Sequence, residues 1–71
     1  MNKPKYAVGT KVIYDYWDAE LKESIGLDAV VLAVNEVGFF VNYSPLGLQR
    51  YKLKLEDGSI MFSSETKLHN V

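Results

Sequence analysis

The chain has 71 residues, 48% apolar and 13% aromatic, with a formal net charge of -1 and no cysteine. Such a length accommodates one ordinary domain, and such an apolar content excludes a disordered chain. The missing thiols exclude a disulfide scaffold or a thiolate zinc module, and the near-zero charge excludes nucleic-acid affinity from bulk positive charge.

Residues 1–5, Met1-Asn2-Lys3-Pro4-Lys5, read as a flexible arm, and residues 6–71 as a single domain. The arm is basic, but no apolar run follows it, so a signal peptide is not expected. The stretch from Val37 to Gln49 is uncharged but interrupted by Gly38, Pro45 and Gly47, too short and broken to span a bilayer. No membrane association and a cytoplasmic location are expected.

Gly9-Thr10 introduce a first strand over 11–17, β-branched and aromatic in composition. Val12, Tyr14 and Tyr16 share one face of it; Ile13, Asp15 and Trp17 share the other. The next segment is ambiguous. Asp18 is a good N-cap, Leu21 and Ile25 are four apart and Gly26 is a good stop, which together describe a short helix over 18–25. A long irregular loop fits as well, because so short a helix is marginal alone. A second strand follows over 27–34, apolar on both faces and therefore central. After a turn over 35–38, a third strand is expected over 39–43, with Phe39 facing in and Phe40 out. Pro45 and Gly47 then break the pattern.

The fourth strand, over 49–55, has the clearest pattern in the chain. Tyr51, Leu53 and Leu55 alternate with Arg50, Lys52 and Lys54, a period of two with one wet face. Asp57-Gly58 predicts a tight two-residue hairpin into a fifth strand over 59–63, because both residues tolerate positive φ. Residues 64–68 read as a closing helical turn, with Asn70-Val71 a frayed end. The expected core is Val12, Val30, Leu32, Val34, Val41, Tyr51, Leu53, Leu55, Ile60 and Leu68.

This order resembles the SH3-like small barrel, in its Tudor and KOW branch. Gly9-Thr10-Lys11-Val12 is similar to the start of that fold's first strand. The run from Tyr51 to Gly58 is similar to its alternating strand and Asp-Gly turn, and Glu65 to Leu68 to its closing turn. The resemblance implies an all-β, five-stranded, antiparallel, partly open barrel with a long first loop. Tyr14-Asp15-Tyr16 and Gly38 to Tyr43 also resemble the two ends of a signalling SH3 domain. Here, however, a further strand pair follows the second motif and the adjacent tryptophan pair is missing, so binding of proline-rich peptides is not inferred.

Two surfaces stand out. Asp15, Asp18, Glu20, Glu23 and Asp28 face only Lys22, and they follow Tyr14, Tyr16 and Trp17. Aromatics beside carboxylates suit a cationic partner, while the plain alternative is a solvated loop whose rings fill the core. Tyr16, Trp17, Asp18 and Glu20 are the candidate protein-binding residues, with Trp17 the ring most exposed. Phe40 joins them, since an outward ring beside Pro45, Leu46 and Leu48 would make an apolar patch; a monomer is nonetheless expected over a homodimer. Arg50, Lys52 and Lys54 form the second surface. They could track a phosphate backbone, although lysines on a strand face also guard a sheet edge against pairing. His69 stands without a second ligand, Ser44, Ser63 and Ser64 have no base nearby, and no glycine-rich phosphate loop exists. Neither catalysis, nor a metal, nor a cofactor is expected. The leading expectation is a non-catalytic module that contacts another protein; the alternative is a nucleic-acid accessory module using the basic strand face.

Overall fold

The computed structural model describes residues 4–39 and 49–71. It is all-β, with strands β1 (Lys11–Asp18), β2 (Glu23–Val34), β3 (Tyr51–Leu55), β4 (Ile60–Ser63) and β5 (Leu68–Asn70), and a 3-10 turn at Glu65–Lys67. All pairings are antiparallel, and the sheet runs in the order β4-β3-β2-β1-β5 without closing. Among the described residues there is no α-helix.

The helix considered for 18–25 is absent, because β2 begins at Glu23 and pairs with β1 as far as Asp18. A four-residue loop joins them. Asp18 Oδ1 accepts from the amides of Glu20 at 2.9 Å and Leu21 at 3.2 Å, and Lys22 closes the loop with φ of 53°. The capping carboxylate is thus used, but by a hairpin turn. Four-residue hairpin loops are built in this way, whereas an isolated two-turn helix has no tertiary face to stabilise it.

Two glycines shape the strand ends alike. Gly9, with φ of 91°, donates to Val31 O while Val31 N–H returns to Thr10 O. Gly58, with φ of 89°, donates to Leu55 O while Leu55 N–H returns to Ser59 O. Both are bulges in which a left-handed glycine sits opposite one partner residue. The Asp57-Gly58 hairpin consequently has three loop residues, Glu56 to Gly58, and not the two expected.

The core consists of Tyr6, Val12, Ala29, Val31, Tyr51, Leu53 and Leu68, with Tyr14, Val34, Leu55 and Met61 packed against it. Val12, Tyr51, Leu53, Leu55, Val34 and Leu68 thus lie where the alternation places them. On β2 the expected parity is inverted. Ala29 and Val31 point inward, Val30 is half-buried, and Leu32 is 37% exposed. The cause is a register shift: Val31 pairs with Leu53 but Ala33 with Lys52, so Leu32 is an extra residue. Beyond it the phase recovers and Val34 lies opposite Tyr51. Ile60, also expected inside, is 48% exposed, because it pairs with Lys54 on the outer face.

Five strands are present, but the fifth is Leu68–Asn70, which runs from the end of the expected closing turn into the expected frayed end. Of the strand expected over 39–43, residues 40–43 lie outside the described residues, as do Val41 and Phe40. Phe39 is half-buried and its ring lies 5.1 Å from that of Phe62, which shares a face with Lys52. Phe39 therefore packs on the outer face, and not on the inner face assigned to it by pattern.

Candidate functional site

The longest element pair projects beyond the rest of the sheet. On one side β5 covers β1 only from Val12 to Tyr14, and on the other β3 covers β2 only from Ala29 onward. Residues 15–28 therefore form a two-stranded ribbon that, among the described residues, no third strand flanks. Tyr16 pairs with Ile25 and Trp17 with Ser24, so the two rings leave opposite faces of the ribbon. Tyr16 is 43% exposed, Trp17 55% and Leu21, in the loop, 61%.

Five carboxylates (Asp15, Asp18, Glu20, Glu23 and Asp28) lie on this ribbon, opposed by Lys22 alone, which leaves four negative charges in excess. The remainder of the chain has seven basic residues against four acidic ones, an excess of three positive charges. The molecule is electrostatically two-ended.

The candidates Tyr16, Trp17, Asp18 and Glu20 all sit on the distal half of this ribbon, although they do not converge on one pocket. Leu21 and the extension of β2 over 23–26 belong to the same projection and were missed, because Leu21 and Ile25 were matched to a helical spacing. The continuing alternation of Ser24, Gly26 and Asp28 with Ile25 and Leu27 was the usable signal.

The second candidate surface divides. Lys52 and Lys54 lie on the outer face, where Lys54 and Lys11 both pair with Val30 and so fall in one row across three strands. Arg50 precedes β3, is half-buried, and lies near enough to Glu65 to lower that carboxyl's pKa. Where β1, β2 and β3 meet Val71, a cavity of about 540 Å³ is bordered by Lys11, Asp28, Lys54, Leu55 and Glu56.

A polar cluster ties the start of the domain to its end. Glu65 Oε1 accepts from Tyr51 Oη–H at 2.6 Å and from the Lys5 amide at 2.8 Å. The Tyr6 amide donates to Tyr51 Oη at 3.3 Å, and Tyr6 Oη–H to Leu68 O at 3.3 Å. Hydrogen bonding from Tyr51 first, and then from the Lys5 amide, holds the Glu65 carboxyl below its ordinary range. Burial first, with the bond to Glu65 second, pushes the Tyr51 phenol up. Tyr14 is also raised, by burial and then by the charge of Asp15.

His69 Nε2 stands 3.8 Å from Asp15 Oδ2, an isolated contact. Among the described residues, no group of three or more His, Asp or Glu side chains could hold a metal ion, and no helix is long and apolar enough to cross a membrane. Phe40 lies outside the described residues. No family model, no curated protein and no solved structure matches the chain.

Proposed function

We propose that this chain is a non-catalytic, cytoplasmic binding module whose β1–β2 ribbon contacts another protein. One observation carries the reading. A hairpin that extends past the sheet exposes Tyr16, Trp17 and Leu21 amid five carboxylates. Large rings on a rigid strand pair, rimmed by charge, are the chemistry of an interface anchor. The exposed faces of these rings do nothing for the fold, so their burial against a partner is the available gain. As to architecture, the reading includes an SH3-like, partly open barrel. It is supported by a strand order in which β5 returns through a 3-10 turn to the far side of β1.

Affinity capture from the native host, with wild type beside Trp17→Ala, tests the reading. We expect at least one partner that wild type retains and the variant loses. A partner set identical for both proteins would refute the anchor.

The row of Lys11 and Lys54, with Lys52 beside Phe62, favours one second reading, a nucleic-acid accessory module. Phosphate contacts of this kind weaken steeply as salt rises. Titration with RNA and with single- and double-stranded DNA at low and moderate salt decides it. Binding at low salt that Lys52→Ala with Lys54→Ala abolishes would support it, and no binding at low salt would end it.

A further inference from the structure

Strand β2 offers an edge that no strand among the described residues pairs with. From Glu23 to Asp28 it pairs with β1 on one side, and among the described residues no strand pairs on the other, since β3 begins opposite Ala29. Backbone groups alternate sides along a strand. The Val31 amide points to β1, where it donates to Thr10 O. With the β1–β2 register unbroken, the amides and carbonyls of Ser24, Gly26 and Asp28 point away from β1, toward the open side. Sheet edges left to solvent are commonly protected by charged side chains, proline or a bulge. This six-residue edge has no proline or bulge, and its charges, Glu23 and Asp28, stand at its two ends and are both acidic.

The side chains around that edge specify what would pair with it. On the outer face, Gly26 lies directly opposite Asp15, with Asp28 two positions along and Trp17 paired with the adjacent Ser24. Ile13 Cγ2 would stand 2.8 Å from a Cβ at position 26, so this side chain covers the bare glycine and gives an apolar floor. A long cationic side chain from a neighbouring strand would lay its methylenes on Ile13 and bring its charge to Asp15 and Asp28, beside the Trp17 ring. On the inner face Ile25 and Leu27 are half-buried and suit a β-branched residue.

We propose that the Glu23–Asp28 edge receives an extended, lysine-bearing peptide segment of a partner protein as an added strand, with a lysine opposite Gly26. The inference rests on the reading of the ribbon as a protein contact and names the partner's chemistry. Main-chain hydrogen bonds to Ser24 and Gly26 supply affinity, and the alternate side chains supply selectivity.

The probe is the capped peptide Thr-Lys-Val-Lys-Val-Lys-Thr, titrated into the isotopically labelled full chain. Near nine-tenths occupancy, exchange of the Ser24 and Gly26 amides should slow about tenfold, because only the unbound fraction exchanges. Methylating the peptide nitrogens that face the edge should weaken binding about tenfold or more, because each methyl removes the donor of a main-chain hydrogen bond. That test leaves the protein unaltered. Asp15→Asn with Asp28→Asn should weaken it and flatten its salt dependence. No binding at millimolar peptide overturns the proposal. Binding that leaves exchange at Ser24 and Gly26 unchanged also overturns it, while the broader reading then stands or falls on the Trp17→Ala capture. Exchange that slows with protein concentration alone makes the occupant a second copy and overturns the proposed partner.

Discussion

Glu65 accepts two of the four hydrogen bonds that tie the start of the domain to its end. Its carboxylate is the shared acceptor for Tyr51 Oη and the Lys5 amide. Its folded pKa lies below the ordinary value of 4.5, so its contribution is fully present above that pH and is lost as pH falls through the folded pKa. Tyr51 has the opposite sense. Its folded pKa lies above 10.0, so the neutral phenol's contribution is present below that pH and is lost as pH rises through the folded value. Glu65→Gln should destabilise the domain by about 1–2 kcal/mol near neutrality and reduce the acid-side fall in stability. Denaturant melts from pH 3 to 7 measure both effects, and an unchanged acid limb would exclude Glu65 as its source. Gly58→Ala tests a backbone requirement. A Cβ there meets nothing within 4 Å, yet φ is +89°, so the expected loss of about 1–2 kcal/mol is conformational only. Thermal unfolding should show it as a fall of roughly 4–8 °C per kcal/mol for a domain of this size.

Strand phase decides the behaviour of whole elements. Leu32 occupies the bulge of β2 while Val31 faces Leu53. Leu32→Lys should therefore change stability by less than about 0.5 kcal/mol, whereas Val31→Ala should cost about 2 kcal/mol. A larger cost at Leu32 than at Val31 in chemical denaturation would place the bulge elsewhere. The β1–β2 tip should behave as a separate unit, because it extends past both neighbouring strands. Asp18→Ala removes the acceptor for the Glu20 and Leu21 amides, and should speed hydrogen exchange at those two amides with little change in the global melting temperature. Composition, β-branched and aromatic, made β1 legible, and alternation made β3 legible, since that strand has one wet face. It failed on β2, where apolar residues on both faces hide which parity points inward and a bulge has no distinct sequence mark. Likewise, Asp18 has the same side-chain chemistry at a helix start and at a hairpin loop, so the ribbon and the exposed rings at its tip were only partly readable. Tyr6 entered the core unforeseen, because its partners, Tyr51 and Leu68, are distant in sequence.

At the scale of the molecule, charge is segregated: an acidic ribbon stands on a basic body. Neutralising the ribbon with Asp18→Asn and Glu20→Gln should slow association with a cationic partner more than it speeds dissociation, and stopped-flow rates at two salt concentrations separate the two effects. The contacts of Glu65 and Tyr6 have a temporal consequence. They join residues 45, 60 and 62 positions apart, and β5 finishes the sheet by lying against β1, which is made before the other four strands. During translation β1 and β2 can meet as soon as both have been made, but the Tyr6 hydroxyl cannot reach its native acceptor, Leu68 O, until residue 68 has been made. The sheet therefore stays incomplete until β5 has been made, and its final cooperative transition waits for residues 65–70.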